Sequence, residues 1–268
     1  MAHSLPYAAN CSLLFTEVPL LQRPTAAAAA GFSAVEFWWP WPEQPVPSDH
    51  DVDAFVAAVR DAGVRLIGLN FFAGDLAGPD CGVVSLPDRT AEFRDNVDVV
   101  LGIGTALEVR AFNALYGNRV DTATPEHQDE LATENLLLAA KAAAGIGATV
   151  LVEPVSGPKP YPLRTAVDVV AVLDRVGVDN LGLLCDLFHL ANNGDDVDAA
   201  IAAYAPRIGH VQIADHPGRH EPGTGDLDLD RLLGQIEGHG YAGHVALEYL
   251  PSTSTSDSLA WLPVERRG

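Results

Sequence analysis

The chain has 268 residues, room for two small domains or for one α/β barrel, which typically takes about 250 residues as a single unit. A hydrophobic content of 48% with 19% charged residues describes a folded protein with a large core and excludes a disordered chain. Acidic residues outnumber basic ones 36 to 16, and the formal charge of −20 would repel phosphate backbones and anionic membrane surfaces, which argues against nucleic acid and membranes as partners.

In chain order, the first apolar run is YAANCSLLF near Tyr7, within an N-terminal stretch that lacks a basic region followed by a long apolar segment. Neither secretion nor a membrane span is expected from it. SAVEFWW near Ser33 is the second candidate strand, followed by the proline-rich loop WWPWPEQPVPSDH from Trp38. Apolar residues then recur at helical spacing in DVDAFVAAVRDAG from Asp51, before strand-like VRLIGLN near Val64 and TALEVRAF near Thr105. A long alanine-rich helix is predicted in TPEHQDELATENLLLAAKAAAG from Thr124. Both helical patterns end at a glycine. Four more strands follow: ATVLVEP near Ala148, LGLLCDL near Leu181, IGHVQIA near Ile208 and HVALEYL near His244.

Strands too apolar to have a wet face, alternating eight times with helices, point to a (β/α)8 barrel spanning 1–268 as a single domain. The alternative is an open doubly wound sheet. It lacks support because no GxGxxG follows the first strand and no GxxxxGK[ST] occurs, so no nucleotide cofactor is expected. Cys11, Cys81 and Cys185 are odd in number and widely spaced, which suggests neither disulfides nor a thiolate zinc site and fits a reducing cytoplasm.

In such a barrel the chemistry sits at the C-terminal ends of the strands. Strands five to eight end in Glu153, Asp186, Gln212 and Glu248, with Asp215 just beyond the seventh. Alternation puts Val152, Cys185, Val211 and Leu247 on the opposite face, so the four polar side chains converge on the barrel axis. Taken singly, each carboxylate reads as a loop cap or surface charge. Together, three carboxylates in a dry cavity would repel one another and protonate unless a divalent cation compensates them, and carboxylate plus amide oxygens suit Mg²⁺ or Mn²⁺. His189 either faces this site or caps its strand. His216 and His220 lie in the loop HVQIADHPGRHEPGTGDLD, where they are candidate substrate contacts, while His3, His50, His127 and His239 are expected in solvent.

That loop, together with NCSLLFTEVP from Asn10, GFSAVEF from Gly31, LVEPVSGPKPYPL from Leu151, CDLFH from Cys185 and ALEY from Ala246, resembles the hydroxypyruvate isomerase family of xylose isomerase-like barrels nearly end to end. The resemblance implies metal ligands at Glu153, Asp186, Gln212 and Glu248, and an acid/base pair formed by Glu153 and Glu248. Related ketose 3-epimerases usually carry histidine where this chain has Gln212, which favours the isomerase branch. Isomerases of four-carbon 2-oxo acids share much of the pattern. The reaction implied is interconversion of hydroxypyruvate and tartronate semialdehyde through an enediolate, a cation stabilising the developing charge and two carboxylates moving the carbon proton. A longer sugar or 2-oxo sugar acid such as 2-oxo-tetronate is the alternative substrate, and a barrel that binds metal and sugar acid without turnover is a third reading. A small anionic substrate entering a chain of charge −20 needs local cations. Arg219 in PGRHEPGTG and Lys159 in SGPKPYP are the candidates; alternatively Arg219 pairs with Glu221 or Asp215 to hold its loop. Trp38, Trp39 and Trp41 are either an apolar wall of the pocket or a contact between subunits of a homo-oligomer.

Overall fold

Eight short strands pair in parallel in chain order and close on themselves: β1 (Tyr7–Asn10), β2 (Ala34–Phe37), β3 (Arg65–Asn70), β4 (Ala111–Asn113), β5 (Thr149–Val152), β6 (Leu181–Asp186), β7 (Ile208–Ile213) and β8 (Val245–Leu247). Closure runs through Tyr7 opposite Val245 and Ala9 opposite Leu247. The computed structural model describes residues 3–268; Met1 and Ala2, which open the stretch read above for a targeting signal, lie outside the described residues. Among the described residues, no helix is long and apolar enough to cross a membrane.

Helices α1 (Arg23–Ala29), α2 (Asp49–Ala62), α3 (Thr90–Leu107), α4 (Pro125–Ala144), α5 (Ala166–Val176), α6 (Leu187–Asn192), α7 (Val197–Tyr204), α8 (Leu229–Gly238) and α9 (Thr255–Ser258) lie between or after the strands. Their starts are written locally. Ser48, Thr124 and Thr165 each accept a hydrogen bond from the backbone amide three residues on, and Thr165 with Asp168 completes a capping box. Because the strands are covered by these helices outside and by side chains within, Val152, Cys185, Val211 and Leu247 are all buried in the apolar core.

The fourth strand differs from expectation. TALEVRAF is not a strand throughout: Thr105 to Leu107 end α3, Glu108 caps it in the left-handed region at φ 58°, and only Ala111–Asn113 pairs in the sheet. The β-branched character of that stretch is overridden by burial, since Val97, Val100, Leu101 and Ile103 recur at helical spacing on the buried face of α3. The Thr105 hydroxyl returns to the Leu101 carbonyl at 2.8 Å, as a helical threonine can. His3, expected in solvent, is buried, its ring edge-on to Tyr7 and its Nε2 3.1 Å from the tyrosine oxygen.

Candidate active site

Each strand delivers a polar side chain within one residue of its C-terminal end. Asn10, Glu36, Asn70, Asn113, Glu153, Asp186, Gln212 and Glu248 are all buried. Asp186 doubles as the N-cap of α6, accepting from the His189 amide at 3.1 Å, and this turn of helix brings His189 back over the strand end. The carboxylates of Glu153 and Asp186 and a nitrogen of the His189 ring all lie within 4.8 Å of one another, a cluster compact enough to surround a metal ion.

The electrostatics of the cluster are those of crowded anions in a dry site. Burial pushes the Glu153 carboxyl up to about 8, and the neighbouring Asp186 charge adds to it. Burial also lifts Asp186 to about 6 against the opposing pull of Arg219. Glu248 is raised well above the ordinary glutamate range by burial, with Arg219 opposing and the charges of Glu153 and Asp186 adding. Three oxygens in this region are buried without a hydrogen-bond partner: Asn113 Oδ1, Asp186 Oδ2 and Gln212 Oε1. Unpartnered acceptor oxygens beside carboxylates that resist ionisation are groups a divalent cation would satisfy, so the donor set fits such an ion.

Gln212 donates its amide nitrogen to Glu36 at 2.7 Å and to Glu248. Asn10 bridges the same two carboxylates, at 2.8 and 3.0 Å. Asn113 donates to Glu153 Oε2 at 2.6 Å, leaving Oε1 facing His189 Nε2 at 3.7 Å. The His189 tautomer follows from its partners. Its Nδ1 accepts from the Ser156 backbone amide at 3.0 Å, so the proton of the neutral ring sits on Nε2, between Glu153 and Asp186. Burial holds this ring well below the usual histidine range, hence neutral, and Arg219 adds to the effect.

The cavity above the cluster is about 200 Å³ and is lined by Glu153, His189, Arg219 and Glu248, with Trp38 and Lys159 among the residues of its rim. Arg219 binds neither Glu221 nor Asp215 through its side chain; its guanidinium donates to Glu248 Oε1 at 2.6 Å and lies over the Phe188 ring at 5.5 Å. The Lys159 ammonium reaches the cavity wall while donating to the Leu76 and Asp80 carbonyls. His216 and His220 do not line this cavity. The His216 ring lies tilted against Phe188, and His220 Nδ1 is bonded to the Leu250 carbonyl. Trp38 is a wall of the cavity, whereas Trp39 packs on Trp41 and Trp41 on Phe55 of α2.

The family model for xylose isomerase-like TIM barrels matches residues 24–263. A putative hydroxypyruvate isomerase of Streptomyces coelicolor is 52% identical, with 96% of this chain and 95% of the relative covered. Hydroxypyruvate isomerase of Escherichia coli is 32% identical, covering 96% and 98%. The chain belongs to the hydroxypyruvate isomerase family. This family of isomerases shades into neighbours of other names: a 2-oxo-tetronate isomerase of Pectobacterium atrosepticum is 30% identical over 95% of each chain. A crystal structure of an AP endonuclease, family 2, from Brucella melitensis superposes with a TM-score of 0.87 at 34% identity, covering 96% and 98%.

In this hydroxypyruvate isomerase family member, sequence reasoning singled out the polar ends of β5 to β8 and passed over those of β1 to β4. Glu36, with its partner His210, was the chief omission. The signal was present: Glu36 is the one charged residue in the apolar run AVEF of β2.

Proposed function

We propose that the protein is a divalent-metal-dependent isomerase that interconverts hydroxypyruvate and tartronate semialdehyde. The observation that carries this reading is the set of orphaned oxygens, Asp186 Oδ2 and Gln212 Oε1 with Asn113 Oδ1 beside them, among carboxyls raised by burial next to a small cavity with an arginine in its wall. Glu153, Asp186, Gln212 and Glu248 would hold the ion, and their hard oxygens suit Mg²⁺ or Mn²⁺. When bound, the ion supplies a Lewis acid that stabilises negative charge on the substrate's carbonyl and hydroxyl oxygens.

The remaining work falls to side chains. Arg219 has a buried Nε–H without a partner in addition to the N–H given to Glu248, which leaves donors for the substrate carboxylate. One glutamate of the pair Glu153 and Glu248 takes the proton from the hydroxymethyl carbon, giving an enediolate. The other returns a proton to the former carbonyl carbon, while the hydroxyl proton passes between the two oxygens. His189 presents its Nε2–H to the same space as a donor to a substrate oxygen, its tautomer fixed by Ser156. A 2-oxo-tetronate-type substrate is the second reading, favoured by the relative of that name. A phosphodiester backbone, by contrast, would meet a chain of charge −20.

The test is turnover on a panel of C3 to C6 hydroxy-carbonyl acids and neutral sugars, after chelation and after adding back single metals. Loss of turnover on chelation, recovery with Mg²⁺ or Mn²⁺ and a preference for hydroxypyruvate are expected. Full activity of metal-free protein would sink the metal reading, and a preference for the C4 acid would replace the substrate. Glu153→Gln and Glu248→Gln should each bind metal and lose about 100-fold or more in kcat. In D₂O, the variant lacking the base for a given substrate should fail to exchange its carbon-bound proton.

A further inference from the structure

The barrel interior holds a carboxylate and an imidazole that the proposed reaction does not use. Glu36 stands on β2 and His210 on β7, two residues before Gln212 and therefore on the same face of that strand. One carboxylate serves both. Glu36 Oε2 is 2.6 Å from His210 Nε2, and Glu36 Oε1 accepts from the Gln212 amide nitrogen at 2.7 Å and from Asn10 at 2.8 Å. Neither Glu36 nor Asn10 is among the residues lining the substrate cavity, whereas His210 reaches a second cavity of about 340 Å³ walled also by Arg65, Arg110 and His244. The space is made by Gly68 on β3, where a Cβ would stand 3.2 Å from Glu36 Oε2.

We propose that Glu36, held by His210, is the positioning residue that turns the Gln212 carboxamide so that its oxygen faces the cation. A carboxamide has one face that donates and one that accepts. Glu36 and Glu248 both present carboxylate oxygens to the nitrogen of Gln212, so a flipped amide would set its oxygen against two acceptors. The nitrogen is thereby forced toward Glu36, and Oε1 is left buried and without a partner. Glu248 cannot carry this role alone, because its oxygens are shared with Asn10 and with Arg219 at the cavity wall. Glu36 touches neither the cavity nor Arg219. Its contacts to His210, Gln212 and Asn10 are all hydrogen bonds in which it accepts, the arrangement that fixes a ligand from behind in metal sites.

The inference rests on the proposed metal site, and the experiment separates the two. Mn²⁺ alone is titrated calorimetrically into the whole metal-free protein, with thermal unfolding of the metal-free form recorded in parallel. Glu36→Gln offers Gln212 an amide in place of a carboxylate, which permits the flipped arrangement. It should weaken Mn²⁺ binding by about tenfold or more while the metal-free unfolding temperature holds or rises. The double variant Glu36→Gln/Gln212→Glu exchanges the two groups, keeps the charge count and puts at 212 a carboxylate whose two oxygens are equivalent. It should recover Mn²⁺ affinity to within about threefold of wild type, a rescue that a merely structural Glu36 would not give. Wild-type affinity in Glu36→Gln overturns the inference, as does a double variant that is unfolded or that binds no better than the single one. Should Glu36→Gln fail to fold without metal, the double variant decides alone, on the same two outcomes. A wild-type protein that takes up no Mn²⁺ would remove the metal site itself, and the role of Glu36 with it.

Discussion

Arg219 adopts a left-handed backbone, φ 61°, although it is not glycine, at a cost of about 1 kcal/mol. Its neighbours hold it there: its amide donates to the Asp215 carbonyl at 3.0 Å and its own carbonyl accepts from Leu250 at 2.8 Å. The strain aims the guanidinium across Phe188 at Glu248 and the cavity. Arg219→Ala is expected to raise KM for the acid substrate and lower kcat, with a combined loss on the order of 2 kcal/mol in kcat/KM. The loss should be larger for hydroxypyruvate than for a neutral hydroxy-ketone of the same length. Steady-state kinetics on both compounds check this, and equal losses would assign Arg219 to Glu248 rather than to the substrate carboxylate. At this scale the sequence was half legible. Glu153, Asp186, Gln212 and Glu248 could be read because each follows an apolar run that ends at a loop. Glu36 stands one residue before the end of β2, as Gln212 does in β7, but no loop follows it directly in the sequence pattern, and His210 lies mid-strand; what explains the two is a contact across the barrel, between β2 and β7, which periodicity along one strand does not encode.

Among the elements, the loop after β7 is the most tightly written. The Asp215 carboxylate, read from sequence as one more polar strand end, is buried and accepts from the amides of His216, Gly223 and Leu227 at 2.9, 2.7 and 3.1 Å. It folds the loop on itself, and the Asp226 amide closes the turn on the His216 carbonyl at 2.7 Å. Gly225 lies inside that closure, where a Cβ would stand 2.5 Å from the His216 carbonyl oxygen and 2.7 Å from Asp215 Oδ1. Backbone on one side and a committed carboxylate on the other leave no soft direction to yield. Gly225→Ala should therefore cost about 1 to 3 kcal/mol of stability and, by shifting Arg219, raise KM several-fold. Thermal unfolding and kinetics measure the two effects, and an unchanged unfolding temperature would mean that the loop opens without loss. The glycines and prolines of this segment identified a loop, but which glycine needs its bare backbone depends on the fold around it. The same holds for TALEVRAF, where local propensity favoured a strand and the buried face of α3 drew its first three residues into the helix.

For the whole molecule, the crowded carboxylates set how stability responds to pH when no cation is bound. Ordinary glutamate and aspartate titrate near 4.5 and 3.8, whereas burial and mutual repulsion raise Glu153 to about 8 and Asp186 to about 6, with Glu248 also raised. Between those limits the folded chain binds more protons than the unfolded chain, so the stability linked to these groups is complete in acid and is lost as pH rises through the folded values. The lowered groups act in the opposite sense: His3, His189 and His244 are lowered from 6.5 and carboxyls such as Glu36 and Glu17 from 4.5, so each adds stability with rising pH only up to its unfolded value. Above about pH 6.5 these contributions level off, and until the thiols begin to ionise near 9 the raised carboxyls dominate among the described residues. The chelated protein should thus unfold at a progressively lower temperature from about pH 6.5 to 8.5. Mn²⁺ competes with protons for the same oxygens, so its stabilisation should grow over that interval and flatten or reverse the slope. Surface repulsion in a chain of charge −20 could mimic the first trend, but salt screens it and leaves a buried cluster nearly untouched. Repeating the pH series at about 0.5 M salt, well past the screening of exposed charges, should therefore preserve the slope of the metal-free protein; a slope that vanishes there, or one that rises with pH at low salt, would show that the cluster does not carry these charges as described.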